Sequence, residues 1–449
     1  MRKTARCART MLLVFALSTT ISLSYAQTSQ QRQAISSKYN KAKLSQLQRD
    51  FLIQQENRKQ EAIKMAQAKG WEILKTKKDG SVDELIAVSP DGQPIYYTIY
   101  NADAARSTRA DHLNIGGSLG LSLDGQNMTA HVWDGGPTRT THQEFDGPGG
   151  NNRVSINDGV TGLNGNSFHA QHVTGTIVAS GVQAAAKGMA PQAQALTHDW
   201  TNDLSEATTE ASSGMLISNH SYGYRADLVP DWYFGAYIAE SRDWDELMYN
   251  SPYYLMVVAG GNDGNDNSSN GSPLNGASSY DKLTGHSTSK NNMVVANGQD
   301  ANVNNDGSFN SVVISGSSSE GPTDDLRIKP DITGNGSGVY STYDNSDVAY
   351  NSISGTSMAS PNVAGSLLLL QQHANNVNGS FLKASTLKGI ALHTADDAGI
   401  AGPDAVYGWG LMNTKAAAEA ISANGGASII SELTLSQGQS YSINVDSDG

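Results

Sequence analysis

The sequence predicts an α/β fold: a parallel sheet covered by helices on both faces, preceded by a small α+β unit and followed by the start of a β domain. Three observations carry this. From about residue 129, short and nearly continuous apolar runs alternate with helical patterns, as expected of strands buried on both faces between crossover helices. Residues 41–100 hold one helical pattern and then three short strand candidates separated by turns. After Gly425, Leu433 and Leu435 and then Tyr441, Ile443 and Val445 alternate with polar residues, the period of a half-buried strand.

Taken in order, residues 1–26 read as a secretory signal. Arg2, Lys3, Arg6 and Arg9 form a positive start, residues 11–17 an apolar core, and Ser24-Tyr25-Ala26 a cleavage site after Ala26. The apolar run is too short to span a bilayer. The signal also holds the only cysteine, Cys7, so the processed chain has no disulfide and must rely on a large core, with bound ions as a further option. Residues 27–110 form the next unit. Leu44, Leu47, Phe51, Ile63 and Ala66 fall on one face of a helix over 41–69, and strands are expected at 71–74, 84–89 and 95–100. Lys78-Asp79-Gly80 and Pro90-Asp91-Gly92 supply the turns, and the polar stretch 101–111 reads as an exposed linker offering Arg106 and Arg109 to proteolysis.

The third unit, 111–425, carries strand patterns at 130–133, 193–197, 215–218, 255–259 and 293–296. Its helical patterns lie at 172–180, 231–249, 358–372 and 385–394. In the last unit, 426–449, Leu433 and Leu435, then Tyr441, Ile443 and Val445, predict the first hairpin of a β domain. The sequence stops before such a domain buries a face, which reads as truncation.

Charge divides along the same lines. The chain has 30 Lys/Arg and 43 Asp/Glu; residues 27–110 hold 14 of the former against nine of the latter, and residues 111–449 hold 12 against 34. So acidic a body argues against a nucleic-acid partner, and no membrane partner is expected once the signal is removed. The basic unit before it is matched in sign.

In an open α/β sheet, functional groups collect at the carboxyl ends of strands. Asp134 ends one strand before Gly135-Gly136, Ser221 follows another, and Asn262 follows a third through Gly260-Gly261. Ser357 opens a helix within Gly355-Thr356-Ser357-Met358-Ala359-Ser360-Pro361. A serine there is commonly a cap, and it also places a hydroxyl beside free backbone donors at the positive helix end.

The heptapeptide around Ser357 resembles the nucleophile motif of subtilisin-like serine peptidases. The segment Phe168-His169-Ala170-Gln171-His172-Val173-Thr174-Gly175-Thr176 resembles their histidine motif, and Val132-Trp133-Asp134-Gly135-Gly136 their aspartate motif. The order aspartate, histidine, serine is that of the family. Gly188-Met189-Ala190-Pro191, Val257 through Asn262, Gly321 through Asp331 and Tyr407-Gly408-Trp409-Gly410 with Asn413 add further matches, so the resemblance covers about residues 111–425.

The resemblance implies a secreted serine endopeptidase of bacterial type, acting through an acyl-enzyme, with protein or peptide substrates. Asp134, His169 and Ser357 are its catalytic triad, Asn262 its oxyanion donor, and Ser221, Tyr222 and Gly223 its substrate-pairing strand. It implies an outside destination, reached through a periplasm where there is one. It makes residues 27–110 a propeptide, the chain's own partner, masking the cleft until cut away. His172 competes with His169 for the base, and Asp124 and Asp146 compete with Asp134; the motifs favour the first of each. Tyr222, Ala170, Gln171 and Trp133 depart from the commoner residues, which leaves subsite preference open. The chemistry needs no cofactor. Many members hold calcium for stability, and the acidic loops 262–267 and 344–347 are where it would sit; Asp/Asn/Gly runs are also ordinary turn chemistry, no full ligand set is legible, and the metal stays unknown. Two other readings are a catalytically silent peptide-binding module on the same fold and an acyl hydrolase such as an esterase.

Overall fold

Seven parallel strands form the centre of the molecule, and the two-residue period of each decides which side chains meet which helices. The computed structural model describes residues 27–76, 82–99, 106–146 and 152–444. The proposed signal, the turn at 78–80 and the linker residues 101–105 lie outside them.

The leading unit has two helices, α1 (Ser29–Ser36) and α2 (Lys41–Lys69), and three antiparallel strands, β1 (Leu74–Thr76), β2 (Val82–Val88) and β3 (Pro94–Ile99). Helix α1 was not legible: Thr28 starts it with a capping box to Gln31, but its apolar face is only Ile35 and neighbouring small residues. Helix α2 begins at Asn40, whose side chain accepts from Lys43 N–H, and ends at Gly70 in the left-handed region (φ 75°), where glycine carries no Cβ penalty. Leu44, Leu47 and Phe51 are buried.

The body contributes β4 (Thr129–Asp134), β5 (Val154–Ile156), β6 (Gln194–Asp199), β7 (Ile217–His220), β8 (Tyr222–Tyr224), β9 (Leu255–Ala259), β10 (Met293–Gly298) and β11 (Ile332–Asn335). All but β8 form one parallel sheet in the order β11-β10-β9-β7-β4-β6-β5. Every strand expected in the body is present, and β5 and β11 extend the sheet at its two edges. A hairpin, β12 (Val339–Thr342) with β13 (Tyr350–Ile353), stands beside it. On one face lie α3 (Ser167–Val178) and α6 (Thr356–Asn378), packed on each other. On the other lie α4 (Asp203–Ser212) and α5 (Ala239–Asn250), the latter shorter than expected because residues 231–238 form a 3₁₀ turn and a loop. Helices α7 (Ala384–His393) and α8 (Thr414–Ser422) complete the body. Among the described residues no helix is long and apolar enough to cross a membrane.

Strand β8 leaves the central sheet. It pairs antiparallel with β3, with Tyr97 opposite Tyr224, Thr98 opposite Gly223 and Ile99 opposite Tyr222. Helix α2 rests on α4. The leading unit is therefore docked on the body through a strand and a helix.

Two expectations fail. The stretch expected to be an exposed linker to residue 111 is, among its described residues, exposed only at its two ends, Arg106 and Asp111. Residues 107–110 are buried, and Arg109 is completely so, donating to the carbonyls of Ser107 (2.9 Å), Met412 (3.1 Å) and Gly307 (3.3 Å) and pairing with Asp396. A guanidinium has enough donors to be satisfied in the interior when carbonyls converge on it. The hairpin expected over 433–445 is not formed: the described residues 429–444 hold no strand, and Leu433, Leu435, Tyr441 and Ile443 are exposed. An isolated hairpin has no face to pack on and does not hold in water. Val445 lies outside the described residues.

Trypsin acting on the folded protein is therefore expected to cut after Arg106 and to spare Arg109. Removing the buried charge with Arg109→Met should lower stability, on the order of 3 kcal/mol, because Asp396 is left without its cation. Limited proteolysis read by mass spectrometry, with denaturant melts of the variant, checks both.

Candidate active site

Strand β4 ends at Asp134, and the alternation of its side chains turns Asp134 toward α3 and Trp133 to the opposite face. His169 lies in the first turn of α3. Its Nδ1 is 2.7 and 2.9 Å from the two Asp134 carboxylate oxygens, and both residues are buried. The Gly135 amide donates to Asp134 Oδ1 at 2.7 Å. A carboxylate held in this way fixes the tautomer that keeps its proton on Nδ1 and leaves Nε2 as the basic nitrogen.

Ser357 is at the start of α6, buried, with its backbone amide in the first turn, where no intrahelical acceptor exists. Its hydroxyl donates to the Ser221 carbonyl at 2.7 Å, and the Ser221 hydroxyl donates to the Ser357 carbonyl at 2.6 Å. This reciprocal pair joins the nucleophile candidate to the residue that opens β8. One turn along α6, the Ser360 hydroxyl donates to Asn219 Oδ1 of β7 at 2.7 Å, which fixes the helix against the sheet.

Asn262 is half-buried after β9. Its side-chain oxygen accepts from the Thr356 amide (2.9 Å) and the Thr356 hydroxyl (3.2 Å), so its amide NH₂ is presented as a donor on the other side. Thr356 Oγ1 also accepts from Gly261 N–H at 3.1 Å. Gly261 is required by space as well as by the turn: it has φ 111°, and a Cβ on it would sit 2.7 Å from the Ser319 hydroxyl. Thr356 is thus a positioning residue that sequence reasoning missed, although it stood inside the quoted heptapeptide.

Tyr222 is completely buried. Its hydroxyl donates to Asp203 Oδ2 at 2.7 Å and lies 2.8 Å from His220 Nδ1. Tyr97 of the leading unit reaches the same carboxylate at 3.4 Å, Gln55 donates to its Oδ1 at 2.6 Å, and the Tyr97 and Tyr222 rings are 5.0 Å apart. Tyr222 therefore completes a buried polar network shared by body and leading unit. Gly223 lies in the middle of β8, opposite Thr98.

The rival residues have other work. His172 contacts the carbonyls of Val339 (3.0 Å) and Asn351 (3.2 Å) through Nε2, and burial pushes its pKa down to about 3. It is a neutral donor tying α3 to the β12–β13 hairpin. Asp124 accepts from Ile115 N–H at 3.2 Å and from Gln192 at 3.2 Å, as a turn-capping carboxylate does. Asp146 closes the one-turn helix Gln143–Asp146. In the loops weighed for calcium, Asp266 caps Ser268 and Ser269, and Asp347 pairs with Arg139 and accepts from Thr141.

A sequence model of the subtilase family matches residues 120–410. The chain belongs to the subtilase family. That span encloses Asp134, His169, Ser221, Asn262 and Ser357. The minor extracellular protease Epr of Bacillus subtilis is 27% identical over 307 residues, 66% of this chain and 39% of that protein. The PII-type proteinase of Lactococcus lactis subsp. cremoris is 49% identical over 75 residues, 16% of this chain and 4% of that protein. The chain thus spans well under half the length of these relatives. Among solved structures, the protease domain of PatA (S218A mutant) aligns with a TM-score of 0.48 and 19% identity over 66% of this chain and 95% of that domain.

Asn262→Ala should lower kcat about a hundredfold to a thousandfold with little change in KM. That magnitude is the one established for an asparagine oxyanion donor in subtilisin, a member of the same family, and applies here if Asn262 has that role. Thr356→Val, which keeps the backbone donor but removes the hydroxyl that bridges Asn262 and Gly261, should give a smaller loss of the same kind, about tenfold. Steady-state kinetics on a peptide substrate separates the two parameters.

Proposed function

We propose that this subtilase is a secreted serine endopeptidase made as a zymogen, with Asp134, His169 and Ser357 as its triad and residues 27–110 as its propeptide. The observation that carries the reading is the seating of an extended segment, Tyr97–Ile99, antiparallel on β8, the strand that begins beside Ser221 and Ser357. A groove that holds a peptide by main-chain hydrogen bonds next to a buried, helix-borne serine suits a peptide substrate better than a simple ester.

In this reading the Ser357 hydroxyl turns off the Ser221 carbonyl and gives its proton to His169 Nε2 as its oxygen attacks the scissile carbonyl carbon. The oxyanion is held by the Asn262 side-chain amide and the Ser357 backbone N–H. His169 then protonates the leaving amine, the C–N bond breaks, and an acyl-enzyme remains. Water enters, loses a proton to the same nitrogen and releases the acid, returning the hydroxyl to Ser357. Asp134 holds the imidazole in place and stabilises the imidazolium. In this reading residues 1–26 are a secretory signal and the activity lies outside the cell.

Docking of the propeptide rests mainly on apolar burial. Burying Leu44, Leu47 and Phe51 is worth about 1.5–3 kcal/mol each, whereas an exposed pair such as Lys43–Glu246 (2.7 Å) contributes about 0–1 kcal/mol. The opposite net charges of the two units act chiefly on the rate of encounter and weaken with salt. In this reading processing falls before residue 107, since residues 107–110 are buried.

Ser357→Ala should abolish peptide hydrolysis while the fold persists, and a fluorophosphonate probe should label the parent chain at Ser357. Labelling elsewhere, or a folded parent that binds peptides without cleaving them, sinks the catalytic assignment. Secreted active enzyme should begin between residues 101 and 107; a stable product starting at Gln27 overturns the zymogen.

The interface network adds a pH dependence. Burial raises the Asp203 pKa to about 6; the Glu240 carboxylate adds to this, and the bond from Tyr222 opposes it. Arg58, Tyr97 and His286 face the same cluster. A carboxyl with a raised folded pKa contributes stability that is complete below its ordinary value and lost as pH rises through about 6. The Ser357→Ala proenzyme should therefore lose up to about 3 kcal/mol from this group between about pH 4 and pH 6, and Asp203→Asn should flatten that slope. Thermal melts across the interval check it.

A further inference from the structure

On the sheet face opposite the triad, three side chains converge that the proteolytic reading leaves unused. Asp158 follows β5, His198 is in β6 and Glu206 is in α4. Their ligating atoms all lie within 4.8 Å of one another. We propose that Asp158, His198 and Glu206 bind a divalent cation of the zinc class, which braces the strand pair carrying Asp134.

The imidazole is the decisive observation. His198 is 3% exposed, and neither ring nitrogen has a hydrogen-bond partner. Buried polar atoms are rarely left so. Its Nδ1 stands 3.6 Å from Glu206 Oε2, beyond hydrogen-bond reach. Two ligands on a tetrahedral ion with bonds of about 2.1 Å are separated by roughly 3.4 Å, so small side-chain rotations close the site.

The surroundings already hold the ligands in place. The Trp133 ring stacks on His198 at 4.2 Å and 12°, fixing the imidazole plane. The Trp133 indole N–H donates to Glu206 Oε2 at 3.0 Å. The Asp158 carboxylate accepts from the Asp199 amide and, at 3.0 Å, from the Val160 amide. Outer hydrogen bonds of this kind orient metal ligands. One imidazole with two carboxylates suits zinc and its neighbours; calcium takes six to eight oxygens. The Glu206 side chain is 27% exposed, which gives an ion a way in and leaves a fourth position to water.

The three ligands come from a loop, a strand and a helix, so an ion ties them together as a cross-link does. His198 is the register partner of Trp133, and Asp199 that of Asp134. The ion contacts no reacting atom; it stiffens β4 and β6 from behind, together with α4, on which α2 rests.

The test uses the full-length Ser357→Ala protein, which does not digest itself, with zinc chloride as the probe. Bound zinc after dialysis, measured by mass spectrometry, should be one ion per chain, and the melting temperature should rise with zinc. His198→Gln, Asp158→Asn and Glu206→Gln should each weaken binding at least about tenfold and remove the thermal shift, while the neighbouring His131→Gln should leave both unchanged. If His198→Gln does not fold, the two carboxylate variants, which are nearer the surface, decide. Absence of zinc binding in the Ser357→Ala protein, or binding that persists in Asp158→Asn and Glu206→Gln, overturns the proposal.

Discussion

The side-chain alternation of one strand, Thr129–Asp134, governs both faces of this molecule. Because its period is two, Asp134 can meet His169 on α3 only if Trp133 points to the other side. There Trp133 lies between His198 at 4.2 Å and His220 at 5.2 Å, each nearly parallel to it. A slip of one residue would bury the indole against α3 and strand the carboxylate among the histidines. Pairing with β6 and β7 on both sides prevents that slip. The large aromatic residue before the aspartate is thus a register pin for the catalytic edge.

A second dependence follows at β8. The reciprocal bonds between Ser221 and Ser357 place the start of this strand against the helix that carries the nucleophile. The strand's other edge is taken by β3. The same residues that would hold a substrate main chain are already paired, and the side chain of Tyr222 anchors the pairing from beneath through Asp203. Occupancy of the groove and burial of a carboxyl are therefore coupled: the leading unit brings Gln55 and Tyr97 to Asp203 in the same docking event.

Much of this was legible in the sequence because the chemistry is local. The serine, histidine and aspartate each sit inside a short ordered segment, and apolar strands alternating with helices announce a parallel sheet. What escaped was encoded by distance in the chain. Asp158, His198 and Glu206 share no motif spacing and meet only because β5 and β6 are neighbours. Arg109 reads as a linker cation, since nothing nearby in sequence reveals the carbonyls of Gly307 and Met412 that receive it. The tail after Gly425 shows the opposite error: its alternation is real, but a period of two makes a strand only where a partner covers one face. The role of Thr356 lay within a segment already singled out, yet its contact with Asn262 bridges 94 positions.

Arg109 also settles how a pull on the chain is shared. Its guanidinium grips three carbonyls and Asp396 on separate parts of the body, and the backbone around it is buried. The chain ahead of it is joined to the body covalently at one clamped point. If the leading unit departs, as proposed, a pull on the chain ahead of Arg109 meets this clamp first. The residues that lead on to β4 and Asp134 lie behind that clamp, so under the proposed maturation the release of the leading unit leaves their anchorage unchanged.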